Sequence, residues 1–364
     1  MPGLSLEKIN NMLDYVDCPT DKSSTKRRDA YVTEWYFQEI ILPKITKNNV
    51  STGWCYVEHK NSRHWFKAFN NPIRDDMQRQ YDRLVISLLN EKDVNQRFFS
   101  IYNNGQFIEI REILITGENW IQRRIEDGSK ICNIVAINAK IKELYNKSKH
   151  NSPFSNIWLN NLSYNYKEAL LLQRLLMNFG LSGKYPLDVD AIEITGDNKL
   201  VFHEFKRKTK CPNGCFEVYS RKIDKRFLLE VLNKSIRLKP KNEQELFEYI
   251  ENRLLYKRNE NLDCYGLDLS HVSNFSFCLR NNIKYAYTIW DSSDYSDKPS
   301  LDKLFNKNIT LKGSRVLYSL DVNENSFIGF VFTNGDNSGT YNKKHRIQAA
   351  LNADQFKSLT FSEN

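Results

Sequence analysis

The sequence predicts an α/β fold, a mixed central sheet flanked by helices, with additional α+β regions on either side of it. Three observations lead there. From about 163 to 290 the apolar patterning runs helix, strand, strand, helix, further helix, strand, an alternation that builds a mixed sheet covered by helices. Two strand-like runs, DVDAIEI and KLVFHEF, are joined through Thr195-Gly196-Asp197-Asn198, a strong turn sequence. A second turn signal, Asn104-Gly105, lies between FFSIY and QFIEIREILI and predicts another hairpin.

In chain order, residues 5–16 read as an amphipathic helix, and Arg28–Leu42 as a second helix that stops at Pro43. The polar, basic loop DKSSTKRR separates them. Trp54–Phe69 has strand composition, with aromatic and basic side chains mixed, and Ile73–Leu89 fits a helix. Beyond Leu144 the polar YNKSKHNSPFSN marks a boundary. The expected division is therefore 1–150, an α+β recognition region; 151–300, the α/β core; and 301–364, a β-rich extension packed on it. In the core, NYKEALLLQRLLMNFG is a helix with Asn165 as N-cap and Gly180 as terminator. SRKIDKRFLLEVLNKSIRL is another, and SHVSNFSFCLRNN is a third that feeds the buried strand IKYAYTIW. The tail offers strands in RVLYSLDV and FIGFVFTN, then the polar loop NGDNSGTYNKKHR.

Composition narrows the function classes. With 27% charged and 40% hydrophobic residues over 364 positions, the chain can bury a core for two or three compact units. No run approaches the roughly 20 apolar residues a membrane helix needs, and the N-terminus lacks the basic-then-apolar order of a secretion signal. A cytoplasmic protein is expected. Seven cysteines, odd in number and thinly spread, do not make a disulfide framework. Cys211 and Cys215 in CPNGC have no second Cys/His pair nearby, so a reduced turn is favoured over a four-ligand zinc site. The net charge is +9, and residues 201–240 hold eleven Lys/Arg against four Asp/Glu. Such a surplus attracts polyanions, nucleic acid above all, although charge runs are often only solvated faces.

The basic run surrounds a cluster of acids. Strand residues two apart share a face, so Glu204 and Lys206 point the same way, and Asp190 lies on the preceding strand. Acids in so apolar a strand repel one another and cost free energy to bury unless a cation compensates. A hard divalent ion held by oxygen ligands is the natural compensation, Mg2+ being the commonest in phosphate chemistry. Lysine adds a positive donor that can orient a water or stabilise a charged transition state. An isolated E-x-K is usually a surface pair; the apolar run after Asp190 and the basic flank set this one apart. Glu168 lies at the end of the stripe Leu171, Leu172, Leu175, Leu176, Phe179, facing the sheet on a helical period. Its alternative role is a capping-box carboxylate three residues after Asn165. Asp188 shares a strand face with Asp190, so either can ligate; Asp190 is favoured because apolar residues follow it directly. His203 points to the face opposite Glu204, for packing or a phosphate contact.

Helix Glu, then Asp with a hydrophobic run, then hydrophobic-E-x-K resembles the PD-(D/E)XK nuclease superfamily, which includes type II restriction endonucleases. The matching residues are Glu168, Asp190, Glu204 and Lys206, the last two in HEFK, over a stretch of about 165 to 290. The resemblance implies a restriction-endonuclease-like core. It also implies Mg2+ (Mn2+ able to substitute) held by Asp190 and Glu204, with Asp188 the competing acid, Glu168 assisting and Lys206 positioning the attacking water. One departure stands out. That family places a strand between the helix and the Asp strand, yet only LSGKYPLDV separates Gly180 from Asp190, so this strand must be very short or displaced.

The function expected is a Mg2+-dependent DNA endonuclease, sequence-specific in the manner of a type II restriction enzyme. It would act on double-stranded DNA as a homodimer, because two strands need two sites, and need no small-molecule cofactor beyond the metal. The alternatives are a structure-specific, repair or phage-defence nuclease, or a non-catalytic basic DNA-binding protein. Expected DNA contacts are Arg207, Lys208, Lys210, Arg221, Lys222, Lys225 and Arg226 in the core and Lys26, Arg27 and Arg28 in the N-terminal region.

Overall fold

A computed structural model of the protein describes residues 37–59, 62–70, 76–93, 95–103, 108–116, 119–124, 187–208, 210, 215–218, 256–259, 263–291, 317–333 and 346–359. The helices expected at 5–16, 165–180 and 220–238 lie outside these residues, and with them Glu168, Lys26, Arg27, Arg28, Arg221, Lys222, Lys225, Arg226 and Cys211. What is described is mixed α/β. The chain divides into two compact units, 1–38 with 48–200, and 39–47 with 201–364.

In the first unit the strands are β1 (Asn49–His59), β2 (Ser62–Asn70), β3 (Gln96–Asn103), β4 (Ile108–Thr116), β5 (Asn119–Arg124) and β6 (Leu187–Ile194), with helix α1 (Asp76–Lys92) between β2 and β3. They form a mixed sheet in the order β6-β1-β2-β3-β4-β5. Only β2 and β3 run parallel, because the chain between them crosses over through α1; the other pairs are antiparallel. The stretch read as strand-like from Trp54 to Phe69 is thus two strands, β1 and β2, paired Trp54 to Lys67 and Tyr56 to Trp65. Antiparallel β3 and β4 flank the Asn104-Gly105 signal, with Asn103 opposite Ile108. Burial follows the aromatic side chains: Trp54 and Trp65 meet edge to face at 6.3 Å, Tyr56 packs 4.7 Å from Trp65, and Phe66 stacks on Phe99 at 5.1 Å. Each such ring removed from water contributes roughly 1.5–3 kcal/mol. From α1, Val85, Ile86 and Leu89 are buried, a helical-period stripe laid on the sheet.

The strand beside β6 is β1, antiparallel, with Thr52 opposite Ala191 and Trp54 opposite Val189. β6 thus pairs with residues more than a hundred positions upstream in sequence, while residues 180–186, where the short or displaced strand was expected, lie outside the described residues. Just before β1, a π-helical turn Phe37–Ile41 passes into a helical turn Leu42–Ile45. Helical structure was expected to stop at Pro43; it continues to Ile45, because Pro43 falls in the first turn of that segment, where a missing N–H leaves no bond unmade.

In the second unit, β7 (Leu200–Lys208, from Val201 on), β8 (Cys215–Val218), β9 (Tyr256–Asn259), β10 (Cys264–Asp268), α2 (Leu269–Arg280), β11 (Lys284–Asp291), β12 (Leu317–Val322), β13 (Phe327–Thr333), β14 (Arg346–Asn352) and β15 (Lys357–Leu359) make two sheets. One contains β15-β12-β11-β7 and the other β10-β14-β13-β8-β9. β7 and β11 are parallel, Glu204 opposite Tyr287 and Lys206 opposite Ile289, and α2 lies between them in the chain. SHVSNFSFCLRNN and IKYAYTIW thus become the helix and strand expected of them, and the two tail strands form as β12 and β13. α2 packs on β11 and on β10 and β14 of the second sheet. Phe275 is its central contact, 6.0 Å from Tyr285 and 5.0 Å from Phe327 by ring centroids, while Phe202 of β7 lies 5.9 Å from Phe277. Among the described residues no helix is long and apolar enough to cross a membrane.

Candidate active site

Asp190 belongs to the first unit and is fully buried in β6. Its burial follows from strand composition, since Val189, Ala191 and Ile192 around it are buried too. Its backbone carbonyl accepts a hydrogen bond from Gln38 Nε2 at 2.7 Å. Between the Thr52–Ala191 and Trp54–Val189 pairs of the register lies Gly53, whose φ of +77° favours glycine and beside which a Cβ would find open space. A strand glycine of this kind marks a close approach or a local irregularity. Asp188 is half-buried, opposite Cys55. The Cys55 thiol is pushed far up, by burial first and by the charge of Asp188 second. Farther along β6, Glu193 accepts from Asn48 Nδ2 at 2.5 Å.

The turn after β6 forms as its sequence predicts: the Asn198 amide donates to the Thr195 carbonyl and the Thr195 amide to the Lys199 carbonyl, both at 2.9 Å. Asn198 takes φ +57°, a left-handed position that asparagine tolerates.

The second unit holds Glu204 and Lys206 on β7. They share a face, as a two-residue spacing requires, and Lys206 Nζ stands 2.6 Å from Glu204 Oε1. His271, in the first turn of α2, reaches the same oxygen through Nδ1 at 3.0 Å. Side-chain exposure is 1% for Glu204, 26% for Lys206 and 10% for His271, so a buried carboxylate faces one cation that reaches solvent and one imidazole that hardly does. Burial is the largest single influence on Glu204 and raises its pKa. The electrostatic pull of His271, then that of Lys206, both close to the carboxylate, together outweigh burial and hold the carboxyl below its ordinary value. Glu204 is ionised at neutral pH.

Sequence reasoning missed His271. The signal was present in the α2 sequence: His271, Phe275 and Cys278 follow the i, i+4, i+7 spacing of one helix face, and all three are buried. A titratable residue on an otherwise apolar inner face points at whatever the sheet presents there. His203, expected on the face opposite Glu204, is buried opposite Ala286.

Two of the expected DNA contacts pair with acids of the same unit. Lys208 Nζ lies 3.3 Å from Asp268 Oδ2 and Lys210 Nζ 3.3 Å from Asp263 Oδ2. Asp268 also accepts from Gln348 Nε2 at 2.5 Å. Cys55, Cys264 and Cys278 are buried.

No family model, curated protein or solved structure matches this chain. Its chemistry must come from the side chains themselves. Among the described residues no group of three or more His, Cys, Asp and Glu side chains is gathered as a ready metal cage. The donor chemistry at Glu204 nevertheless suits a hard divalent cation, which prefers ionised carboxylate oxygen. The Lys206 ammonium and the His271 imidazole both approach that carboxylate in its buried position.

Proposed function

We propose that the protein is a Mg2+-dependent DNA endonuclease with a restriction-endonuclease-like core, hydrolysing phosphodiester bonds in double-stranded DNA, sequence-specifically and as a homodimer. The observation that carries this reading is the geometry of HEFK: Glu204 is buried, and Lys206 Nζ stands 2.6 Å from it on the same strand face. Parallel β7 and β11, with α2 between them in sequence, support the core assignment, as does the antiparallel strand β1 beside β6.

Asp190 and Glu204 are the acids proposed to serve the ion, with Asp188 the alternative acid on the Asp190 strand and Glu168 assisting. When bound, the ion would polarise the scissile phosphate and ease deprotonation of a water. Lys206 does what the acids cannot: its ammonium can donate to a water or to a phosphate oxygen and offset charge that grows in the transition state. The net charge of +9 draws the DNA polyanion toward the protein and makes binding salt-dependent.

The test is incubation of mixed-sequence plasmid DNA with wild type and Glu204→Ala, in Mg2+, Mn2+, Ca2+ or EDTA. Discrete fragments with Mg2+ or Mn2+, absent with EDTA and with the variant, support a site-specific nuclease. A metal-dependent smear keeps the phosphodiesterase but removes sequence specificity. DNA binding without cutting under every metal would replace the proposal with a non-catalytic DNA-binding protein.

A further inference from the structure

We infer that His271 is a positioning residue, one that holds Glu204 in its ligand orientation so that Lys206 can leave it for the substrate. This rests on the reading of Glu204 as a metal ligand. Lys206 Nζ and His271 Nδ1 meet the same oxygen, Oε1, at 2.6 and 3.0 Å, and neither contact uses Oε2. A lysine locked against its own glutamate can serve neither water nor phosphate. If Lys206 alone compensated Glu204, its departure would leave a buried charge unpaired, which is costly. With His271 on the same oxygen, the carboxylate keeps a partner when Lys206 moves.

Exposure separates the two roles. Lys206 has 26% of its side chain open to solvent and sits on a long flexible stem, whereas His271, at 10%, is fixed in the first turn of α2. That turn is anchored through Val272 and Phe275, both buried, the latter between Tyr285 and Phe327. Groups that orient a ligand carboxylate without touching the ion typically alter metal affinity about 10–100-fold when removed.

The experiment measures Mn2+ binding to the full chain by electron paramagnetic resonance, without DNA, for wild type, Glu204→Ala, Lys206→Gln, His271→Phe and His271→Asn. Phenylalanine keeps the packing volume without a donor; asparagine keeps a side-chain N–H donor near the position of Nδ1. Thermal melting of each variant confirms that it is folded. Expected is binding that Glu204→Ala abolishes and His271→Phe weakens about 10–100-fold, while His271→Asn recovers most of the affinity and Lys206→Gln binds within a few-fold of wild type. Glu204-dependent binding that folded His271→Phe leaves unchanged would overturn the inference alone. Weakening of the same size in folded His271→Asn and His271→Phe would also overturn it, as a packing role. Binding indifferent to Glu204→Ala would overturn the inference together with the metal reading beneath it.

Discussion

Breaking the buried ion pair of the first unit should destabilise it severely, and removing both partners together should not. Lys67 of β2 and Asp82 of α1 lie 3.0 Å apart with side chains only 6% and 2% exposed. Ser51 Oγ is the hub of the cluster: it accepts from Lys67 Nζ at 3.0 Å and from Trp54 Nε1 at 2.7 Å, and donates to Asp82. Lys67 also donates to the Thr52 carbonyl and lies 5.3 Å from the centre of the Trp54 ring. Replacing Asp82 by Ala leaves the ammonium buried with neutral acceptors alone, a change that costs about 3–5 kcal/mol in comparable settings. For a unit of this size one kcal/mol corresponds to roughly 2–4 °C in Tm, so the melting transition should fall by about 6–20 °C. The double variant Lys67→Met/Asp82→Leu buries no charge and keeps similar volumes, and should recover most of the loss. Differential scanning calorimetry of the wild type, the two single variants and the double variant measures this coupling. A loss below about 1 kcal/mol for Asp82→Ala, or a double variant as damaged as the sum of the singles, would refute the reasoning.

Three further outcomes follow from the same geometry. Gly266→Ala should cost about 1–3 kcal/mol, since its Cβ would stand 1.9 Å from Gln348 Oε1 and force that side chain off Asp268; trimming Gln348 to Ala in the same chain should restore part of the melting temperature. Gly53→Ala should cost about 1–2 kcal/mol through backbone strain at φ +77° alone, as the added carbon meets nothing, and calorimetry should find no rescue from trimming any neighbour. Because the pKa of Glu204 is lower folded than unfolded, its stabilising contribution is complete above its unfolded value and lost as pH falls through the folded one. Acid titration of Tm should therefore be shallower for Glu204→Gln than for wild type below about pH 4; parallel curves would contradict the assignment of charge.

Local patterns carried much of this architecture. Tight turns such as 195–198, and the helix and strand at 269–291, were legible because neighbouring residues alone decide them. The same was true of Glu204 and Lys206, whose shared face follows from the two-residue period of a strand. Long-range pairing was not legible. Nothing in the residues around Asp190 says that β1, from far upstream, lies beside β6, since a strand buried on both faces accepts any apolar partner of matching register. Strands β8 and β9 are four residues each, too short to show a period, and β14 (RIQAALN) carries alanines that a helix would accept equally well. His271 was missed for the same reason: it reaches Glu204 across 67 positions of sequence, and only the docking of α2 on the sheet brings them together.

Single-turnover cleavage tests most directly whether the acids Asp190 and Glu204 and the Lys206 ammonium each serve the proposed hydrolysis. Asp190→Asn, Glu204→Gln and Lys206→Met are compared with wild type on plasmid DNA in Mg2+, with DNA affinity measured separately in Ca2+. Each variant should bind DNA within a few-fold of wild type yet cut at least about a thousandfold more slowly, as expected when roughly 4 kcal/mol of transition-state stabilisation is lost. Variants that cut as fast as wild type, or a wild type that binds DNA and never cuts, would contradict the proposal.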